Sequence, residues 1–234
     1  MKLQYIFDVD GTLTEPRKQI DETFSTFFVE FCHTNNTYLV SGSDPDKTIT
    51  QLGNNIIREQ QRIYSCSGNY VWNCFSDDVN IIRMSQWNLP KSARNFLEKH
   101  TQWSKNPLNG GHYEQRIGVF NYSTLTTNPT QEMRDEYSKN WADERNDIVY
   151  LFNEKFPHLE AVVGGAVSID IYPKGKDKGQ ITTDFNADEI ENLHFFGDRI
   201  ESNGNDMPLA QKLKHIHPVT CWQETMDILK EMTK

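Results

Sequence analysis

Hydrophobic residues along the chain switch repeatedly between short solid runs and helical spacing. Residues 3–7 (LQYIF) form an apolar run that stops at Asp8, the pattern of a buried parallel strand whose polar residues gather at its C-terminal end. Phe24, Phe27, Phe28 and Phe31 then recur on one helix face, with Asp21 placed to cap it and Asn35-Asn36 to break it. Residues 37–40 give a second strand running into SGSD, and residues 45–57 a second helix. Asp44 stands near its start, with Pro45 where a missing N–H costs least. Strand, helix, strand, helix predicts a doubly wound α/β sheet.

The middle of the chain has another rhythm. Arg62-Ile63-Tyr64 and a turn-rich SGN precede a predicted hairpin at 70–80, a helix at 90–100 and the polar stretch SKNPLNGG. Strand-like pieces at 112–122 and 161–172 flank a long charged helix over 130–156, so an α+β module is inserted into the α/β core. The core pattern returns with an apolar strand at 193–196 ending in Gly197-Asp198, a short helix at 206–213 and a last helix at 224–232. The predicted division is a core from 1–80 and 176–234 and a cap from 81–175.

Composition sharpens this picture. At 234 residues the chain is long enough for one large or two modest domains, and 12% aromatic residues offset a hydrophobic fraction of only 36%. A net charge of -9 disfavours nucleic acid and acidic membranes as partners, so an anionic substrate must meet a local cluster of Arg and Lys. The first residues lack the basic and apolar segments of a secretory signal, no run reaches membrane-span length, and Cys32, Cys66, Cys74 and Cys221 have no metal-ligand spacing. A cytoplasmic protein with free thiols is expected.

Ligands in such sheets bind at the carboxyl ends of the parallel strands. Asp8 and Asp10 stand there after the first strand, Ser41 and Ser43 after the second, and Asp198 after a late one. With Lys178 they make a hard-oxygen site suited to Mg²⁺.

DVDGTLT at 8–14 resembles motif I of the haloacid dehalogenase superfamily. The resemblance implies a doubly wound parallel-sheet haloacid dehalogenase core with an inserted α+β cap. Asp8 becomes the nucleophile that forms an aspartyl phosphate, and Asp10 the acid/base that protonates the leaving oxygen and later deprotonates the acceptor. Gly11 permits the turn, and Thr12 is placed to bond the acid/base carboxylate. Ser41 or Ser43 in VSGSD would hold the transferring phosphoryl group. Lys178, chosen over Lys176 and Lys174 by its order in the chain, would neutralise it. FFGDRIESNGND at 195–206 resembles the metal-binding acid segment: Asp198 joins Asp8 and Asp10 on Mg²⁺, while Asn205 and Asp206 orient waters or Lys178.

Four stretches, at 8–20, 40–53, 163–179 and 195–206, also resemble the eukaryotic-type phosphomannomutase family in order and spacing. That likeness implies a cap clamp on a distal phosphate from Arg17, Arg116 and Arg134, since guanidinium forks suit a phosphate dianion. Asn121 and Ser123 fall at an Asn-Val-Ser segment, and Ser168 and Asp170 at the pair that binds sugar hydroxyls. The chain departs from the pattern at Thr127, where a further arginine is expected, and at Lys212, in the place of an acid that holds a second ion; no second ion is predicted. The resemblance further implies a hexose phosphate substrate, hexose 1,6-bisphosphate as activator and a homodimer through the caps. A mutase converting mannose 6-phosphate to mannose 1-phosphate is the leading reading and a sugar-phosphate phosphatase the alternative. A non-enzymatic scaffold is disfavoured by the intact Asp8 and Asp10.

Overall fold

The computed structural model describes residues 3–75, 78–164, 167–202 and 204–233. Ser76 and Asp77 of the predicted hairpin, Gly165 and Ala166 of the 161–172 piece, and Asn203 of the acid segment lie outside the described residues.

Strand β1 (Gln4–Phe7) leads through the Asp8–Thr14 loop to helix α1 (Glu22–Thr34), whose cap Asp21 accepts from the N–H groups of Thr23 and Phe24. Asn35 ends that helix and β2 (Asn36–Val40) follows. Helix α2 (Pro45–Glu59) is capped by Asp44 and bends at Gly53, φ 76°. Then come β3 (Arg62–Ser65), a 3-10 turn (Cys66–Gly68), and the hairpin β4 (Tyr70–Phe75) and β5 (Asp78–Met84). The cap runs through α3 (Lys91–Trp103), β6 (Asn109–Gln115), β7 (Phe120–Leu125), α4 (Gln131–Asn140), α5 (Asp143–Lys155), β8 (Leu159–Val163) and β9 (Ser168–Pro173). The chain re-enters the core with a 3-10 helix (Lys178–Asp184), α6 (Ala187–Glu191), β10 (Leu193–Gly197), α7 (Met207–Ala210), β11 (His215–Pro218) and α8 (Trp222–Met232).

The core sheet has the order β11-β10-β1-β2-β3-β4-β5, parallel from β11 to β3 and antiparallel over the last two pairings. Alternate residues of β1 serve opposite faces: Tyr5 and Phe7 join Phe28, Phe31 and Phe196 on one side, while Ile6 joins Val40, Phe195 and Leu209 on the other. A sheet covered on both faces is why its strands read as solid apolar runs. Phe7 meets Phe28 edge-on at 5.0 Å, and each such fully buried ring contributes about 1.5–3 kcal/mol. The antiparallel cap sheet, β6-β7-β9-β8, buries Phe120, Tyr122, Ile169 and Ile171 against Phe152 of α5.

Three expectations need correction. The predicted boundary between residues 80 and 81 cuts β5, which pairs with β4 from Phe75 opposite Asp78 to Tyr70 opposite Met84. Backbone pairing fixes that strand, and its largely exposed side chains gave no alternating apolar signal. The single helix over 130–156 is two, because Trp141 leaves helical geometry at φ -134°. The break lets Tyr137 pack with Leu125 and Val167 while Ile148, Val149 and Phe152 cover the cap sheet. The pieces at 112–122 and 161–172 are each a pair of antiparallel strands, the first reversing through Gly118 at φ 69°.

Helix α8 is fastened to the Asp8–Thr14 loop by the buried Thr225 hydroxyl, which donates to the Thr12 carbonyl at 2.7 Å. Thr225→Val leaves that carbonyl without its donor and is expected to cost about 1–2 kcal/mol. Thermal melting checks it, and an unchanged midpoint would contradict the fastening.

Candidate active site

Asp8 is the first residue past β1 and Asp198 the first past β10. These strands pair in parallel with Phe7 opposite Phe196, so the two carboxylates leave the sheet side by side. Asp206, just before α7, completes the group, and one oxygen from each of Asp8, Asp198 and Asp206 lies within 4.8 Å of the others. Lys178 opens the 3-10 helix, with only 1% of its surface exposed. Its ammonium donates to Asp8 Oδ1 at 2.6 Å and to Asp206 Oδ1 at 2.7 Å. The other Asp206 oxygen accepts from the Arg199 N–H at 3.0 Å, so this carboxylate orients Lys178 and the loop after β10 together. Lys212, noted for its departure from the family pattern, donates to the Gly179 carbonyl and so holds the 3-10 helix at its start.

Three carboxylates around one ammonium leave negative charge uncompensated. Burial and repulsion from Asp206 push the Asp198 carboxyl up to about 7 against the pull of Arg199 and Lys178. Burial likewise raises the Asp8 carboxyl, with Asp198 and Asp206 adding to it and Lys178 opposing. The Lys178 ammonium, desolvated yet flanked by Asp206 and Asp8, is held charged. Such an oxygen-only set, short of positive charge, fits a hard divalent cation. Gly11 is what allows the crowding. It adopts φ 89°, and a Cβ there would stand 2.4 Å from Asp198 Oδ2.

Asp10 stands apart from that trio. Its Oδ1 accepts from the Arg17 N–H at 2.7 Å and from Gln51 Nε2 at 2.9 Å. Thr12 does not bond it: the Thr12 hydroxyl is buried and has no hydrogen-bond partner among the described residues. Gln51 was missed, although a glutamine at 51 on the inward stripe of α2 with Thr48, Leu52 and Ile56 is a legible oddity.

Ser41 and Ser43 follow β2. Ser41 is buried and its Oγ accepts from the Ser43 N–H at 3.0 Å, while Ser43 is half-buried. Behind them, Cys66, Ser67 and Gly68 take three successive left-handed conformations at φ 51°, 58° and 85°. The Cys66 and Ser67 N–H groups thereby reach the carbonyls of Ser43 and Ser41. Asn69 and Gln180 each bond this turn and the Lys176 carbonyl, so the serine loop and the Lys178 helix are braced on one piece of backbone.

The cap closes the crevice from the other side. Asp170, 3% exposed, accepts from Asn121 Nδ2 at 2.7 Å, and its Oδ2 lies 3.1 Å from where a Gly42 Cβ would be. The Asn205 amide also approaches Gly42, at 3.9 Å from that point. Ser168 Oγ faces Gly164, and Ser123 donates to the Val167 carbonyl. Arg116 donates to the Gly42 carbonyl at 2.9 Å and to Glu114 at 2.6 Å, with Asp170 at 3.9 Å; it is a buried cross-link between cap and core. Arg134 on α4 is half-buried and feels the Arg17 charge, which together with burial pulls its pKa down. Thr127 instead bonds the His112 ring on the exposed side of the cap.

A model of the eukaryotic phosphomannomutase family matches residues 24–234. The chain belongs to the eukaryotic phosphomannomutase family. Phosphomannomutases of Spinacia oleracea and Arabidopsis thaliana are each 32% identical to it over 94% of this chain and 92% of theirs. Among solved structures, an IMP-nucleotidase of Plasmodium falciparum superposes with a TM-score of 0.69 at 14% identity, covering 99% of this chain and 68% of that one. A haloacid dehalogenase-like hydrolase from Bacteroides thetaiotaomicron gives 0.61 at 13%, covering 99% of this chain and all of that one. At those identities the likeness is one of fold, and it makes this family member a haloacid dehalogenase-type α/β core with an antiparallel cap sheet.

Gly11→Ala is expected to strain the loop by about 1–3 kcal/mol and to displace Asp198, abolishing enzymatic activity; full activity in the variant would contradict the crowding argument. A second outcome concerns Glu114, which also accepts from Lys47 of the core. Burial alone would raise its carboxyl, but Arg116 and Lys47 hold it down at about 2. A depressed carboxylate stabilises the folded state above its unfolded value near 4.5 and loses that contribution as pH falls toward 2. Glu114→Gln should therefore melt below wild type at pH 7, with the gap closing between pH 4.5 and pH 2. A gap independent of pH would mean that the charge contributes nothing.

Proposed function

We propose that the chain catalyses magnesium-dependent phosphoryl transfer on a hexose phosphate through an aspartyl phosphate on Asp8, interconverting mannose 6-phosphate and mannose 1-phosphate. The observation that carries this reading is the meeting of Asp8, Asp198 and Asp206 around the buried Lys178 ammonium at the carboxyl ends of parallel strands. Asp8 and Asp198 would hold Mg²⁺, which when bound cancels the repulsion between carboxylates and a phosphate dianion.

In the first half-reaction an Asp8 oxygen attacks phosphorus, the bond from phosphorus to the sugar oxygen breaks, and Asp10 gives that oxygen its proton. In the second, the free hydroxyl of a mannose monophosphate attacks the phosphoryl group on Asp8, Asp10 takes the hydroxyl proton, and the Asp8 carboxylate departs, leaving a hexose 1,6-bisphosphate. Turned end for end, that bisphosphate returns its other phosphoryl group to Asp8 by the first half-reaction and leaves as the isomeric monophosphate; added hexose 1,6-bisphosphate supplies the first phosphoryl group. Lys178 keeps its charge beside Asp8 throughout, Ser41 or Ser43 holds the phosphoryl oxygens, Asp170 with Ser168 takes sugar hydroxyls, and Arg17 with Arg134 takes the distal phosphate. The cap excludes water so that the sugar hydroxyl is the acceptor. A cytoplasmic enzyme dimerising through its caps completes the reading; Cys32, Cys66 and Cys221 are free thiols, and Trp103, Tyr150 and Leu151 are exposed on the cap helices.

One observation favours hydrolysis instead. Arg116 already donates to Gly42 and Glu114, and Thr127 stands where another arginine is expected, so the clamp is weakened. Mannose 1-phosphate, Mg²⁺ and a trace of hexose 1,6-bisphosphate decide between the two. A mutase yields mannose 6-phosphate with little free phosphate, whereas phosphate released at the rate of substrate loss would sink it. Folded Asp8→Asn should lose at least a thousandfold in either activity, and wild-type turnover by that variant would remove Asp8 as nucleophile.

A further inference from the structure

Asp8 and Asp10 are two residues apart, yet their carboxylates meet different partners: an ammonium for the first, two amide N–H groups for the second. Both amides load the same oxygen, Asp10 Oδ1, the Arg17 main chain at 2.7 Å and Gln51 Nε2 at 2.9 Å. Arg17 takes a left-handed φ of 64°, costly for a side-chain-bearing residue, and that conformation aims its N–H at Asp10.

The orientation of the Gln51 amide is dictated by its surroundings. The Thr14 hydroxyl donates to the Val9 carbonyl at 3.4 Å, so toward Gln51 it can only accept, and it does so from Nε2 at 3.1 Å. Nitrogen rather than oxygen therefore faces both Thr14 and Asp10. The main chain of Gln51 grips the same loop, since its carbonyl accepts from the Ile20 N–H at 2.9 Å. One helical residue, 6% exposed, thus holds the motif loop at Asp10, Thr14 and Ile20.

We propose that Gln51 is the positioning residue for the acid/base. With Oδ1 held by Gln51 and Arg17, Asp10 cannot rotate freely, and its proton is carried on Oδ2, the oxygen left to face the sugar oxygen. This rests on the roles of Asp8 and Asp10 given above and goes beyond them in naming which carboxylate oxygen transfers the proton and what fixes it.

The role predicts a defect that depends on the leaving group. A departing sugar oxygen needs a proton, whereas p-nitrophenolate leaves without one. Gln51→Met keeps length and apolar packing and removes the donor; Gln51→Glu keeps shape and replaces the donor with a carboxylate. In both, steady-state kcat on mannose 1-phosphate with a trace of hexose 1,6-bisphosphate should fall roughly 10–100-fold, with KM within about threefold. The single-turnover burst of p-nitrophenolate from p-nitrophenyl phosphate, which reports phosphorylation of Asp8 alone, should stay within about threefold of wild type. Equal losses in both assays would make Gln51 a packing residue and overturn the proposal, as would undiminished sugar-phosphate turnover in either variant. Wild-type protein that turns over neither substrate would remove the reaction itself, and this role with it.

Discussion

A buried ammonium gripped by two buried carboxylates governs this molecule. Lys178 comes from the segment that follows the cap, Asp8 from the first strand and Asp206 from the turn before α7, so one side chain ties together segments far apart in the chain. Burying such a pair is costly, and neighbours hold it in place: the Arg199 N–H takes the second Asp206 oxygen, the Asp8 N–H donates to the Phe196 carbonyl, and Lys212 holds the helix that presents Lys178. The remaining negative charge is shared by Asp8 and Asp198, and burial together with their acidic neighbours raises both carboxyls. An oxygen-only set with that imbalance is suited to a hard cation.

Much of the core was legible because its signals are redundant. Solid apolar runs at β1, β2 and β10, the Asp21 and Asp44 caps, and polar residues gathered after each strand all point to the same sheet, and register then forces Asp8 beside Asp198. The cap was legible only as a class. Its strands are short, its hairpins reverse within stretches that read as continuous, and the break at Trp141 is set by which hydrophobic cluster each helix half can reach. Strand β5 shows the limit most plainly: with nearly every side chain in solvent, its place is decided by main-chain pairing, which leaves no mark in the hydropathy pattern.

At the site, the sequence marks the residue types that announce chemistry and Asp206 as a partner of Lys178, but not the residues that hold Asp10. Gln51 and the left-handed Arg17 act through single hydrogen bonds that depend on a loop meeting a helix face. Arg116 illustrates the converse. A guanidinium in the cap matches a phosphate clamp by position, yet Glu114 two residues earlier on the same strand, with the Gly42 carbonyl opposite, claims its donors. Sequence order could place Arg116 near the crevice, but only coordinates could say that two of its nitrogens already donate to Gly42 and Glu114 while Nε has no partner among the described residues.

The run of left-handed residues at Cys66, Ser67 and Gly68 bears on how the family member can vary. Its N–H groups fix the serine loop, and its flanking amides reach the Lys178 segment, so the dihedral angles at three consecutive positions set the spacing between the serine loop and the Lys178 helix. Glycine, asparagine and aspartate tolerate such angles and β-branched residues resist them. Drift toward valine or isoleucine there would move Ser41, Ser43 and Lys178 together, turning what looks like an ordinary surface-type turn into one of the least replaceable segments of the chain.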